Sequence, residues 1–209
     1  MINKQIAIQN FLDETYPEVG CELNYQKDYE LVIAVMLSAQ TTDVSVNAVT
    51  KVLFAKYDTL EKMTNAPLED IEDIIHSIGL YKNKAKNVIG IAQTLIKEFN
   101  GVLPSDKDLL QTLPGVGNKS AGVIRAEVFK IPDLPVDTHI QRIAKRLRLA
   151  NEDDTPYDIE MKLKKKFSQE DWIKLHHQLI HFGRDICVAR KPDCQRCKLR
   201  EFCKEKRSI

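Results

Sequence analysis

The sequence predicts an all-α fold, and three observations support this prediction. Apolar residues recur three and four positions apart along most of the chain, which is the spacing of one face of an α-helix. Segments with the alternating pattern of strands are nearly absent. Pairs of a hydroxyl and a carboxyl residue three positions apart mark helix starts. With 209 residues, 43% of them hydrophobic, the chain can bury a core as one domain or two small ones.

About ten helices are predicted along the chain. The clearest periodic segments are residues 6–12, 44–54, 71–78, 88–96 and 140–149. The apolar run LVIAVML (31–37) lies in a segment without a breaker from residue 28 to residue 39, which is long for a strand, so we predict a buried helix. Capping pairs predict further helix starts at Ser105 with Asp108, Thr155 with Asp158, and Ser168 with Asp171.

Charge and hydropathy narrow the class of protein. No apolar run approaches the roughly 20 residues that span a bilayer, and the N-terminal MINKQIAIQNFLDETYP lacks the apolar core of a signal peptide. We therefore expect a cytoplasmic protein with no membrane partner. The net charge is +1, but five Lys/Arg and thirteen Asp/Glu from Met1 to Leu80 give −8 and leave +9 for the rest. This asymmetry indicates that one face meets a polyanion such as nucleic acid.

The stretch LPGVGNKSAGVI joins two predicted helices, residues 108–113 and 118–129, through Pro114-Gly115-Val116-Gly117. Glycine permits a positive φ and close backbone approach, so the N–H groups of this turn and of the next helix can form an anion-binding nest. A plain helix connection with glycines for packing explains the spacing equally well. Lys119 falls in the first helical turn, where the helix dipole disfavours a cation by about 0.3–1 kcal/mol.

Four of the five cysteines are clustered near the C-terminus with the spacing C-x6-C-x2-C-x5-C: Cys187, Cys194, Cys197 and Cys203. In a chain without export signals, such close thiols indicate a metal rather than disulfides, and the spacing chemistry alone fits zinc and a 4Fe-4S cluster equally. The fifth, Cys21, is remote and is expected to be a core or surface thiol. Basic residues between the clustered cysteines form a surface that could contact phosphates: Arg190, Lys191, Arg196, Lys198 and Arg200.

Five segments in this order resemble the helix-hairpin-helix DNA glycosylase superfamily that includes endonuclease III: SAQTTD, GLY, LPGVG-x-K, VDTHI and the cysteine loop. The resemblance implies two helical domains flanking a DNA-binding cleft. Residues 21–132 would form a six-helix domain with the hairpin, and residues 1–20 with 133–209 would form the iron-sulfur domain. The 6-2-5 cysteine spacing resembles the family's cluster-binding loop, which favours a 4Fe-4S cluster over zinc.

The resemblance also implies roles for individual residues. Lys119, as a neutral amine, would attack C1′ of a damaged nucleotide, and Asp137, the N-cap residue of VDTHI, would help to deprotonate it and stabilise positive charge on the sugar. The implied DNA-binding residues are Gln40, Leu80, Gly115, Val116, Gly117 and His139. The expected protein is a monomeric, nucleoid-associated glycosylase and abasic-site lyase. It would excise oxidised pyrimidines from duplex DNA and nick 3′ of the abasic site by β-elimination through a lysine Schiff base.

Three residues depart from the family pattern after the hairpin. Asn118 stands where arginine is common, Ser120 where threonine is common, and Gly122 where asparagine is common; a helical glycine also costs about 1 kcal/mol. A mismatch-directed thymine glycosylase is therefore the alternative enzyme. From another class, the chain could be a non-catalytic DNA-binding or iron-sulfur electron-transfer module, which would need neither Lys119 nor Asp137.

Overall fold

The computed structural model describes residues 4–205 of the chain. In that range it has eleven α-helices, two 3₁₀ turns and no strand, which confirms the predicted all-α class. The helices are α1 (Lys4–Thr15), α2 (Asp28–Leu37), α3 (Asp43–Lys56), α4 (Leu60–Thr64), α5 (Leu68–Ile75), α6 (Tyr81–Phe99), α7 (Lys107–Leu110), α8 (Asn118–Phe129), α9 (Thr138–Arg146), α10 (Pro156–Lys164) and α11 (Trp172–Asp185). The 3₁₀ turns are Gln169–Asp171 and Arg200–Phe202.

The chain divides into two compact units. Helices α2 to α8 belong to the unit Glu22–Ile131, here called the hairpin unit. Helix α1, helices α9 to α11 and the cysteine segment belong to the other, here called the cysteine unit, which contains residues 4–21 and 132–205. The assignment of these units to the two predicted domains, with a DNA-binding cleft at their boundary, stays a prediction.

Helix α2 is the centre of the hairpin unit. Its seven consecutive apolar residues, Leu31 to Leu37, are all buried, and it packs against α3, α6 and α8. A helix that is apolar on all sides has to be surrounded by other elements, and this confirms the predicted helix. It ends at Leu37, two residues before the predicted end, and the N–H of Ser38 donates to Ala34 O at 2.9 Å to close the last turn.

The core of the cysteine unit joins its two chain segments. Helix α1 packs on α11, where the rings of Phe11 and Phe182 meet edge to face with centroids 5.6 Å apart. The apolar face of α9, including Ile140 and Ile143, is buried in the same core. Among the residues the structure describes, no helix combines the length and the apolar character needed to cross a bilayer.

The predicted helix starts have mixed outcomes. The start at Thr155 is confirmed, because Thr155 and Asp158 form a reciprocal capping box at α10. The cap of α7 is Asp106 rather than Ser105: its carboxylate accepts two backbone N–H groups at 2.9 and 3.0 Å, and its negative charge suits a helix N-terminus. At Ser168 the chain enters a 3₁₀ turn instead of α11, and the Ser168 side chain makes no capping bond.

Candidate active site and cysteine centre

The predicted helix-hairpin-helix is formed by α7 and α8. Helix α8 runs over Asn118–Phe129 as predicted, whereas α7 ends at Leu110, three residues before the predicted end. The N–H of Leu113 donates to Leu110 O at 3.2 Å, and the N–H of Val116 donates to Leu113 O at 3.0 Å. Successive tight turns therefore replace the last part of the predicted first helix.

The two glycines of the hairpin have different reasons for being glycine. Gly115 has φ +78°, and a Cβ built there would lie 2.5 Å from Asn87 Nδ2 and 2.9 Å from Met36 Cγ. Both the backbone angle and the close approach therefore exclude a larger residue. Gly117 has φ −93° and ψ −177°, and a Cβ there would meet nothing within 4 Å. The backbone angles and the open space would both accept an alanine, so neither requires glycine at this position.

The start of α8 offers unpaired backbone donors. Gly117 is its N-cap and supplies no side-chain capping bond. The N–H of Ala121 reaches Gly117 O at 2.9 Å, so the N–H groups of residues 118–120 have no acceptor inside the helix. The predicted nest stays a prediction, and Val116 departs from it, because its side chain is buried and its N–H is used within the turn. Val116 supports the turn by packing rather than with an outward N–H group.

Lys119 is the second residue of α8, and its side chain is exposed. It therefore stands in the first helical turn as predicted, at the end of the helix that carries partial positive charge. A primary amine is a nucleophile only when it is neutral. The position thus gives a ligand access to a primary amine in the first turn of the helix.

Asp137 is the N-cap residue of α9, as predicted, and its side chain is half-buried. Its Oδ1 accepts the N–H of Ile140 at 2.8 Å. A carboxylate has two oxygens with several lone pairs, so this cap leaves acceptor capacity for another group. Lys119 belongs to the hairpin unit and Asp137 to the cysteine unit; their predicted apposition stays a prediction.

His139 lies one residue into α9 and is held against α11. A Cβ at Gly183 would lie 2.8 Å from the His139 Cβ, so glycine is required for this close packing. Arg142 Nη2 lies 3.2 Å from His139 Nδ1 and donates to Gly183 O at 2.8 Å, and Arg142 Nε donates to Cys187 O at 3.0 Å. Arg142 was not identified from the sequence, and it connects the start of α9 to the first of the clustered cysteines.

Gln40 and Leu80 are both exposed and both have unusual backbones. Leu80 is 62% exposed with φ +60°, and Gln40 is exposed with φ +56°. Non-glycine residues in this region carry a strain of roughly 1–2 kcal/mol each, and strained residues are concentrated at functional sites. The structure thus presents an amide and a large apolar side chain to solvent from strained positions of the hairpin unit, as an insertion role would require.

The four clustered cysteines line one cavity, together with apolar side chains such as Phe182 and Ile186. Burial raises the pKa of the Cys197 thiol to about 11, and the charges of the other three cysteines act in the same direction. Four thiolates around one small cavity repel one another unless a cationic group lies between them, and four thiolates are the donor set of both zinc and iron-sulfur sites. Within residues 4–205, no group of three or more His, Cys, Asp or Glu side chains has the arrangement of a single-ion site.

Arg146 organises the segment around these cysteines, although it is 6% exposed and lies in α9. It donates to Val188 O at 2.8 Å and Ala189 O at 3.2 Å, and one of its nitrogens lies 3.4 Å from Cys187 Sγ. Its Nε pairs with Glu205 at 3.2 Å. A buried guanidinium with several fixed donors is suited to holding backbone carbonyls and a thiolate in one arrangement.

The basic residues of the cysteine segment are partly used inside the unit. Arg196 forms a bidentate ion pair with Asp185, in which Nη1 donates to Oδ1 and Nη2 donates to Oδ2, each at 3.1 Å. Lys198 lies 2.7 Å from Glu14 of α1. Both are paired with carboxylates but stay exposed, so the expectation of a basic surface formed by all five residues stays a prediction.

Comparison with known proteins is consistent with this architecture. Residues 33–169 match the HhH-GPD superfamily of base excision DNA repair proteins. The chain is 44% identical over 194 residues to endonuclease III of Bacillus subtilis (strain 168), covering 93% of this chain and 89% of that protein. It is 39% identical over 206 residues to endonuclease III of Escherichia coli (strain K12), covering 99% of this chain and 97% of that protein.

A solved structure gives the same result. The structure of a trapped endonuclease III–DNA covalent intermediate superimposes with a TM-score of 0.92 at 43% sequence identity, covering 98% of this chain and 97% of that one. Identity at this level extends over nearly the whole chain and includes both units. The chain therefore belongs to the endonuclease III family of the HhH-GPD superfamily.

Proposed function

We propose that Lys119 and Asp137 carry out the chemistry of this base excision repair enzyme on oxidised pyrimidines in duplex DNA, as a glycosylase followed by an abasic-site lyase. The observation that carries the proposal is the position of Lys119, exposed in the first turn of the hairpin helix. A relative that is 43% identical was captured in a covalent complex with DNA. A nucleophilic amine at this position accounts for such a complex.

The proposed reaction begins when the damaged nucleotide leaves the base stack, because C1′ is not accessible to an attacking group inside the duplex. Leu80 and Gln40 occupy the disturbed stack. The Lys119 amine forms a bond to C1′ while the glycosidic bond breaks, and the base leaves with the bonding electrons and takes up a proton. The Asp137 carboxylate stabilises positive charge on the sugar while the glycosidic bond breaks, and it then accepts the proton that the nitrogen loses once it is bonded to C1′.

The lyase step follows from the same covalent bond. Opening of the sugar ring gives a Schiff base between Lys119 Nζ and C1′. Removal of a proton from C2′ then expels the 3′ phosphate and breaks the strand, and hydrolysis of the Schiff base restores the free amine. Unpaired N–H groups of residues 118–120 and Gly117 bind a DNA phosphate beside the reacting nucleotide.

We further propose that the four cysteines hold a 4Fe-4S cluster, since all four line one cavity in a segment with little apolar core of its own. When bound, such a cluster joins four points of this segment and so maintains its structure. The protein is expected to act as a monomer on damaged duplex DNA or abasic sites. Size-exclusion chromatography with and without an abasic duplex tests that state.

The central test is borohydride trapping on a duplex that contains thymine glycol. Wild-type protein should give a covalent adduct and a nicked strand, whereas Lys119→Gln should give neither and still bind the duplex. Lys97→Gln is the matched control, because Lys97 is also an exposed lysine of the hairpin unit but lies in the last turn of α6 rather than in the first turn of α8. An adduct of equal yield from Lys119→Gln would overturn the assignment.

Asp137→Asn separates catalysis from capping. Asparagine is as good an N-cap as aspartate, so the melting temperature should hardly change. Loss of the charge should lower the single-turnover rate by roughly 10²–10⁴-fold, the range of general acid-base catalysis. Running wild type on a panel with thymine glycol, a T·G mismatch and undamaged DNA then separates the proposed activity from that of a mismatch-directed glycosylase and from binding without catalysis.

A further inference from the structure

Lys84 is a buried cation on the apolar face of α6. Its side chain is 4% exposed, and it lies four residues before Val88 and seven before Ile91, which are both fully buried on that face. Desolvation lowers the pKa of this lysine. Burial of an ammonium is unfavourable unless its donors are satisfied, so this position needs an explanation beyond helix amphipathicity.

The ammonium of Lys84 makes three hydrogen bonds to the end of α2 and the segment after it. Nζ donates to Leu37 O at 2.8 Å, to Ala39 O at 2.8 Å and to Thr41 Oγ1 at 2.9 Å. Three donors are all that an ammonium has, and the C-terminus of a helix is where a cation is favoured. Stabilising the end of α2 would need only the bond to Leu37; the other two bonds fix the residues beyond it.

These bonds link two of the four exposed, non-glycine residues with positive φ in the hairpin unit; the other two are Asn100 and Lys130, each at the C-terminal end of a helix. Gln40 lies between the acceptor residues Ala39 and Thr41, and it keeps φ +56° there. Leu80, with φ +60°, is the N-cap of the helix that carries Lys84, and its carbonyl accepts the Lys84 N–H at 3.1 Å. The Lys84 ammonium therefore bonds to both neighbours of Gln40, to the backbone of Ala39 and to the side chain of Thr41. The backbone N–H of the same residue closes the first turn of the helix that Leu80 caps.

We propose that Lys84 is a positioning residue that holds Gln40 and Leu80 in one rigid arrangement, so that both enter the DNA stack together. This inference rests on the proposed function, in which these two side chains occupy the space around the extruded nucleotide. Lys84 itself touches neither DNA nor the reacting atoms. It acts by tying the residues on either side of Gln40 to the helix that begins at Leu80.

The test measures stack insertion separately from chemistry. The probe is a duplex with 2-aminopurine opposite a tetrahydrofuran abasic analogue, which cannot form a Schiff base; insertion of Gln40 and Leu80 unstacks the fluorescent base. At saturating protein, wild type should raise the fluorescence, and Lys84→Met should lose most of that rise. In the Gln40→Ala/Leu80→Ala background, adding Lys84→Met should change the signal less than about twofold, because residues that act through one another are non-additive.

Two further variants distinguish a loss of positioning from a loss of folding stability. Thr41→Val removes one of the three acceptors of the Lys84 ammonium and leaves the other two in place. It should give a smaller loss of fluorescence than Lys84→Met. Leu95→Ala removes a fully buried side chain from the same helix, so it should lower the melting temperature and leave the saturating fluorescence at the wild-type level.

Three results would overturn the proposal. They are a wild-type signal from both Lys84→Met and Thr41→Val, an equal loss from Lys84→Met in both backgrounds, or the same loss from Leu95→Ala. The proposed function is tested independently by borohydride trapping on a natural abasic duplex. Failure to trap, with the fluorescence behaving as expected, would reject the lysine chemistry and retain the role of Lys84.

Discussion

Replacing Gly115 by alanine should destabilise the protein strongly, whereas replacing Gly117 by alanine should not. At Gly115 the backbone has φ +78°, which costs an L-residue about 1–2 kcal/mol. The added Cβ would also lie 2.9 Å from Met36 Cγ, which belongs to a buried side chain of α2. Overpacking of this kind costs about 1–3 kcal/mol, so the free energy of unfolding should fall by about 2–5 kcal/mol.

Gly117→Ala is the matched control for the same chemical change. Its φ of −93° suits alanine, and no atom lies within 4 Å of the added Cβ. Alanine restricts the unfolded chain more than glycine does, which stabilises a compatible site by about 0.4–1 kcal/mol. The melting temperature of Gly117→Ala should therefore equal or slightly exceed that of wild type.

DNA binding should respond differently to these two changes. If the N–H groups at the start of α8 bind a phosphate, the methyl group of Gly117→Ala lies where the phosphate approaches. Loss of one hydrogen bond to a charged group is worth about 1.5–3 kcal/mol, or about tenfold or more in Kd. Thermal unfolding followed by circular dichroism, and fluorescence anisotropy with an abasic-analogue duplex, measure the two effects.

The reasoning would be refuted by a melting temperature for Gly115→Ala within about 2 °C of wild type, because about 2–4 °C per kcal/mol is expected for a chain of this size. It would also be refuted in part by Gly117→Ala binding the duplex as tightly as wild type. In that case the N–H groups at the helix start would not bind the phosphate as proposed, and the hairpin would be the plain helix connection of the alternative interpretation.

Hydrogen bonds from Lys56 and Tyr57 hold the pKa of Asp70 below its usual value. These bonds therefore stabilise the folded protein fully at pH values above the pKa that Asp70 has in the unfolded chain. The stabilisation is lost as the pH falls through the lower pKa that Asp70 has in the folded protein. The melting temperature of Asp70→Asn should accordingly lie below wild type at pH 7 and approach it near pH 3, and a constant gap across this range would contradict the assignment. Arg146→Met should leave several carbonyls of the cysteine segment without a donor, so hydrogen exchange of residues 187–205 should become much faster while that of the hairpin unit is unchanged. Cys197→Ser should reduce the iron content and visible absorbance of the purified protein and expose the same segment to proteases; full iron loading of this variant would argue against the proposed ligand set.

Local patterns predicted much of the fold. The helix of residues 118–129, the buried apolar helix α2 and the caps at Thr155 and Asp137 all depend on contacts three or four residues apart, which a sequence displays directly. The errors were also local: a carboxylate at Asp106 was a better cap than the hydroxyl of Ser105. Competition between neighbouring capping residues is decided by small differences in energy.

Lys84, Arg142 and Arg146 were missed, although the sequence contained a signal for two of them. Lys84 and Arg146 occupy buried positions on the apolar faces of their helices, and a charged residue there needs a specific set of partners. Their partners lie more than 40 residues away along the chain. Neither periodicity nor composition specifies which distant carbonyls such a residue will meet.

The sequence by itself determined the helical class, the hairpin, the place of Lys119 in its first turn and the cluster of four thiols, because each follows from residue chemistry and short-range spacing. Tertiary structure alone decided that Gln40 and Leu80 take left-handed backbones and that one buried lysine joins their two segments. It also decided that the four thiols line one cavity. These features depend on packing between elements distant in sequence, where the burial of α2 and α6 selects which polar groups are brought together.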